Sequence, residues 1–282
     1  MKTGMNLLLW TGHVTEEHFG LMKDIKEAGF DGVEIPVFDT TVDHYKKVRK
    51  ELDNLGLRCT TVTIVSPDAN PISPDAKIRQ AAVDLLRRAI DCNQALGAEN
   101  MVGPFHSPLA VFSGTGPTAD EQKRAVEVLR RAAEEAETND VTLCIEYLNR
   151  FECYFLTTAA DAKKLVEQVN HPHFRTMYDT FHANIEEKSP GPAVARLGDK
   201  LAHVHISESD RGTPGTGMVH WDESFRALRQ AKYDGWLVIE AFGRALPALA
   251  AATKVWRDLF PAPGEVYTQG LRFMKEKWAA AK

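Results

Sequence analysis

The chain has 282 residues, of which 44% are hydrophobic and 26% charged, enough for one large core. Its 34 basic and 39 acidic side chains give a formal charge of −5, and no basic run stands out, which argues against nucleic acid or an anionic membrane surface as a partner. No apolar run is of membrane length, and MKTGMNLLLWTG lacks the features of a signal peptide. The four cysteines (Cys59, Cys92, Cys144 and Cys153) are not at CxxC spacing, so free thiols in a cytoplasmic protein are expected.

In chain order, Asn6 to Trp10 reads as a first strand. Thr15 caps a helix that runs to Ala28 and stops at Gly29. GVEIPV (Gly32 to Val37) is a second strand, followed by a helix from Asp43 to Asn54. LRCTTVTIV (Leu57 to Val65) is rich in β-branched residues and makes a third; Ser66 opens the loop after it, and a helix runs from Pro74 to Leu96. ENMVGPF (Glu99 to Phe105) is the fourth strand. The Gly/Ser/Pro-rich loop from His106 to Pro117 is long for such a connection, and loops of that length are more often functional than idle. Thr118 then opens a helix to Thr138.

The second half repeats the pattern. Strands are expected at Thr142 to Tyr147, Phe174 to Asp179, Leu201 to Ser207 and Trp236 to Glu240. Helices are expected at Thr158 to Val169, Pro192 to Leu197, Trp221 to Ala231 and Pro247 to Leu259, with a last amphipathic segment from Val266 to Ala280. Eight strands alternating with helices argue an α/β fold: a single (β/α)8 TIM barrel over residues 1–282 with an extra C-terminal helix, its active site at the C-terminal strand ends. A doubly wound open sheet competes poorly, because no glycine fingerprint is present.

Four consecutive strands end on groups that bind metals. LCIEYLNRFE delivers Glu146, RTMYDTFH Asp179, LAHVHISESDRG His205 and GWLVIEAFGR Glu240. The intervals of 33, 26 and 35 residues are each close to one strand–helix unit, so the four side chains should converge on the barrel rim. A strand-end carboxylate is often only a helix cap or ion-pair partner; four in succession argue for more. Three carboxylates and an imidazole suit Mn²⁺, Mg²⁺ or Co²⁺, and a cation is the natural reason to gather like charges.

The segments IEYLNRFE, MYDTFHANIEE, HVHISESDRG and VIEAFGR, with GPFHSPL and PALAAATKVWRDLF, resemble the D-tagatose/D-allulose (psicose) 3-epimerase family of the xylose-isomerase-like barrels, over the whole chain. The resemblance implies that Glu146, Asp179, His205 and Glu240 ligate one divalent ion, Mn²⁺ before Mg²⁺ or Co²⁺. It implies that Glu146 and Glu240 are the catalytic pair, and that Glu152, His182 and Arg211 hold the O1 and O2 end of a keto-sugar. It also implies a homodimer or homotetramer. Two stretches depart from the family pattern: the loop after the fourth strand, SPLAVFSGTGPT, is small and neutral, and LLWTGH has no close match to a sugar-contacting motif.

Other enolising reactions could use the same four groups: aldose–ketose or hydroxypyruvate isomerisation, inosose-type dehydration, or elimination on 3-keto-glycosides. Glu152, six residues beyond Glu146, and Arg211, six beyond His205, favour the epimerase. A phosphodiesterase of the apurinic-site type would need more strand-end histidines and a basic face, and a non-catalytic sugar-binding protein would not need two carboxylates flanking one metal. Candidate pocket-lining residues are Trp10, His13, Glu34, Ser66, Phe105 and His106, each of which also has an ordinary packing reading. Glu34 reads slightly better as a buried structural acid bonded to a neighbouring loop, and His203 as a core histidine one layer below His205. Phe273, Met274 and Trp278 form a stripe on the last helix that covers the barrel or a partner.

Overall fold

The computed structural model describes residues 1–281. Eight parallel strands close into a barrel in sequence order: β1 Lys2–Asn6, β2 Gly32–Pro36, β3 Arg58–Val62, β4 Asn100–Gly103, β5 Thr142–Ile145, β6 Phe174–Asp179, β7 Leu201–Ile206 and β8 Trp236–Ile239, with β8 pairing back onto β1. The expected (β/α)8 architecture is therefore present. The surrounding helices are α1 Phe19–Ala28, α2 Val42–Leu55, α3 Ala76–Leu96, α4 Ala119–Thr138, α5 Ala159–Val169, α6 Thr180–Glu186, α7 Pro190–Leu197, α8 Trp221–Gln230, α9 Pro247–Thr253 and α10 Pro263–Ala280.

Local chemistry sets most of the boundaries. Thr118 begins α4 with a reciprocal capping box to Glu121, and the Thr158 hydroxyl accepts the Asp161 N–H at the start of α5. The glycines expected to stop α1, α2 and α3 do so, with φ of 98° at Gly29, 62° at Gly56 and 64° at Gly97.

Three elements differ from the sequence reading. The first strand lies earlier, at Lys2–Asn6; the apolar run expected to form it becomes a 3-10 turn, Leu7–Leu9, because the Asn6 side chain accepts the Leu8 N–H and bends the chain. The helix α6 follows β6 directly, where none was expected. The helix α9 ends at Thr253 instead of Leu259, since Lys254 turns left-handed with φ 62°.

The core lies between barrel and helices. Val33, Ile35, Ile145 and Ile239 are fully or almost fully buried with Leu86, Leu129 and Leu165 from the helices. On α10, Met274 is fully buried, Phe273 meets Trp221 edge-on at 5.3 Å, and Trp278 meets Phe225 at 6.5 Å. The terminal stripe therefore closes the side of its own barrel against α8.

Candidate active site

The strand tips bring the four expected groups together. Glu146, Asp179, His205 and Glu240 are all buried, and one ligand atom from each lies within 4.8 Å of the others. His205 Nδ1 stands 3.4 Å from Glu240 Oε1, 3.6 Å from Asp179 Oδ2 and 3.9 Å from Glu146 Oε1. The backbone fixes these tips: the Glu146 N–H donates to Gly103 O and the Glu240 N–H to Ile206 O. Asp179 divides its oxygens, Oδ1 capping α6 by accepting the Phe181 N–H at 2.6 Å while Oδ2 turns to the cluster. His205 Nδ1 is buried without a hydrogen-bond partner among the described residues. An orphaned imidazole nitrogen facing three carboxylates is a donor set that fits a hard divalent cation.

Beside this cluster sit the three residues assigned to the sugar. Arg211 Nη1 donates to Glu240 Oε2 at 2.7 Å and to Ser207 Oγ at 3.1 Å, and lies 3.4 Å from Asp179 Oδ2. Its guanidinium lies over the Phe181 ring at 3.8 Å, with Phe242 at 4.8 Å. His182 Nδ1 accepts the Asn149 backbone N–H at 2.9 Å, so in the neutral ring Nε2 carries the proton. That Nε2 lies 3.0 Å from Arg211 Nη2 and 3.6 Å from Glu146 Oε1. The guanidinium and the imidazole edge thus stand side by side next to Glu146, where an oxygen gaining negative charge can be met from either. Glu152 accepts from Asn149 Nδ2 at 2.9 Å and lies 3.9 Å from Arg211 Nη2; Arg150, its simplest partner by sequence, pairs with Glu186 instead.

Electrostatics separate the two outer glutamates. Burial, then the Glu240 charge, push the Glu146 carboxyl well above its usual range. Burial opposes ionisation of Glu240 as well, but His205 and Arg211 outweigh it and hold that carboxyl low. Burial and Arg211 push the His182 imidazole down to about 3, keeping it neutral. Glu34 is fully buried, and His205 and His203 overcome its burial to hold it ionised.

The remaining candidates divide. Glu34 is bonded to strand residues and not to a loop: it takes hydrogen bonds from Asn6, Thr60 and His205 beneath the cluster. His203 lies 3.0 Å from Glu34, a buried partner one layer below the rim. Phe105 belongs to the core, and Trp10 packs against Tyr267. His13 stacks on His44 at 4.2 Å. Ser66 is exposed in its loop. His106 is fully buried, with Nδ1 2.8 Å from Ser107 Oγ. The reading of single residues missed Asn6, whose amide joins Glu34 to Glu240, because it was placed at the start of a strand instead of at its tip.

A closed barrel with acids and a histidine on four adjacent C-terminal strand ends defines a class of sugar-isomerising scaffold, and the family described as "Xylose isomerase-like TIM barrel" matches residues 22–277. A ketose 3-epimerase of Arthrobacter globiformis is 32% identical over 286 residues, covering 100% of this chain and 98% of the relative. A D-psicose 3-epimerase of Agrobacterium fabrum is 33% identical over 266 residues, covering 92% and 91%. The crystal structure of a D-allulose 3-epimerase from Methylomonas sp. in complex with D-allulose superposes with a TM-score of 0.93 at 28% identity, covering 98% and 97% of the two chains. The chain belongs to the xylose isomerase-like TIM barrel family and, within it, groups with the ketose 3-epimerases.

Proposed function

We propose that the protein is a divalent-metal-dependent ketose 3-epimerase acting on free keto-sugars of the D-tagatose, D-fructose/D-allulose and L-ribulose type. The observation that carries this reading is the meeting, in one buried cluster, of Glu146, Asp179, His205 and Glu240, with His182 and Arg211 in contact beside it. Glu146, Asp179, His205 and Glu240 would hold the ion, Mn²⁺ before Mg²⁺ or Co²⁺. Bound there, it would supply Lewis acidity toward the ketose carbonyl and the neighbouring hydroxyl.

The chain's own residues do the rest. The proton on C3 is α to the ketone and weakly acidic. One of Glu146 and Glu240 removes it from one face, leaving an enediolate, and the other returns a proton to the opposite face; the direction of reaction sets which is base and which acid. His182 Nε2–H and the Arg211 guanidinium donate to developing negative charge at the O1 and O2 end. Glu152 accepts a sugar hydroxyl. Phe181, under the Arg211 guanidinium, keeps its fork from swinging away.

We place the enzyme in the cytoplasm, which the four buried free thiols support, as a homodimer or homotetramer. Large apolar side chains exposed on the catalytic rim, among them Phe38, Ile64, Phe151, Met218 and Trp256, support association. The test is NMR of D-fructose, D-tagatose and L-ribulose incubated in D₂O with the Mn²⁺-loaded protein and with Glu240→Gln. Deuterium at C3 together with the C3 epimer is expected, lost in the variant. Absence of exchange at C3 in all three sugars, with metal bound, would move the assignment to a dehydratase or eliminase of the same scaffold.

A further inference from the structure

Beneath the cluster, two residues from the first two strands have no part in the chemistry just described. Glu34, on β2, is fully buried inside the barrel. Its Oε1 accepts from His205 Nε2 at 2.7 Å and from Asn6 Nδ2 at 2.9 Å. Its Oε2 accepts from Thr60 Oγ1 at 2.8 Å, and His203 Nε2 stands 3.0 Å away. Asn6 Nδ2 can only donate, and an Oε1 that carries no proton takes both contacts when His205 bears its proton on Nε2. Asn6 is equally constrained. Its Oδ1 accepts the Leu8 backbone N–H at 2.8 Å, which fixes the amide's orientation. The two Nδ2 protons must then point to Glu34 Oε1 and to Glu240 Oε1, the latter at 3.3 Å.

We propose that Asn6 and Glu34 are a positioning pair for the active site: Glu34 holds the proton of His205 on Nε2 and so turns Nδ1 toward the carboxylates, while Asn6 ties the same anchor to Glu240. This rests on the reading of the cluster as a metal centre. His205 could otherwise carry its proton on either nitrogen, and only one tautomer presents a lone pair at Nδ1. A carboxylate behind a ligating imidazole sets that tautomer and raises its basicity, and losing such a partner typically costs about 10- to 100-fold in metal affinity or activity. The Asn6 bridge makes the orientations of His205 and Glu240 depend on one fixed point. Neither residue touches the substrate in this account.

The experiment compares wild type, Glu34→Gln and Asn6→Ala. Mn²⁺ affinity and stoichiometry are read from the EPR signal of free Mn²⁺, folding of the metal-free proteins from circular dichroism, and the tautomer from ¹⁵N-histidine NMR of the Mg²⁺-loaded proteins. One ion per chain is expected in wild type, with His205 protonated on Nε2. E34Q should keep its fold, bind Mn²⁺ about 10- to 100-fold more weakly, and lose the Nε2–H signature. N6A should lower kcat for C3 exchange more than it changes KM.

Folded E34Q and N6A proteins with Mn²⁺ affinity within threefold of wild type and an unchanged His205 signature would overturn the proposal. Two ions per chain would also overturn it, because Glu34, His203 and His205 would then be a ligand set of their own. If E34Q does not fold, N6A decides by its kcat. A wild-type protein that takes up no divalent ion refutes the metal-centre reading itself and the positioning role with it. Normal uptake by wild type and by both variants refutes the positioning role alone.

Discussion

Replacing Arg211 should cost more in the metal-free protein than in the loaded one, and glycine should be better tolerated there than alanine. Arg211 is buried among Glu240, Asp179, Glu152 and Glu146, and its Nη1 makes a 2.7 Å contact with Glu240. Removing one member of a buried pair leaves an uncompensated charge, at about 3–5 kcal/mol. His205 stays beside Glu240 and Asp179 when the guanidinium is gone, so the lower end applies, about 3 kcal/mol. For a chain of this size that lowers Tm by about 6–12 °C.

The Arg211 backbone has φ 68°, a left-handed conformation that costs a side-chain-bearing residue about 1–2 kcal/mol. Glycine escapes that cost but gives back about 0.4–1 kcal/mol through its looser unfolded chain. Arg211→Gly should therefore be about 0.5–1 kcal/mol more stable than Arg211→Ala, the reverse of their order in a helix. Urea denaturation of both variants, with chelator and with Mn²⁺, measures each term. Mn²⁺ should raise the stability of R211A more than that of wild type, since the ion takes over compensation of the carboxylates. A metal-free R211A within about 0.5 kcal/mol of wild type, or a deficit that Mn²⁺ does not narrow, would refute the account of Arg211 as counter-charge.

Two further predictions follow from the packing. Gly103, at the tip of β4, has φ 124°, and an added Cβ would lie 2.2 Å from the Thr63 carbonyl oxygen; Gly103→Ala should lose about 3 kcal/mol or more in thermal unfolding and displace Glu146, whose N–H the Gly103 carbonyl accepts. Burial pushes the Cys59 and Cys92 thiols up to about 12 and the Cys153 thiol to about 11, so the native protein should resist a thiol reagent at neutral pH and react fully only when unfolded; rapid native labelling at any of these sites would contradict their packing.

Much of the site could be read because barrel chemistry lies at strand ends and each end is marked by the chain turning polar. IEYLN, MYDTF, HVHIS and VIEAF mark those ends plainly. What could not be read depends on distance across the barrel or on one residue doing two jobs. Glu34 meets His205 from 171 positions away, across the barrel interior, and nothing in GVEIP announces it. Asp179 looked like a strand end and is also the cap of α6, so the helix behind it went unnoticed. LLLW outscored KTGMN as a strand on hydrophobicity alone, but closure onto both β2 and β8 needed the slimmer segment: a Cβ on Gly4 would sit 2.9 Å from Val238.

The two halves of the barrel contribute unlike things. All four residues of the cluster come from β5 to β8 and their tips, whereas Asn6, Glu34 and Thr60, which brace it, come from β1 to β3. A polypeptide whose synthesis has just passed β8 owns all four residues of the cluster before the ring has shut, yet lacks the Asn6 brace until β1 zips onto β8. On the proposed reading, uptake of an ion becomes a late event in maturation, and the Asn6 amide, reaching Glu240, is the link across the seam where the first and last strands meet.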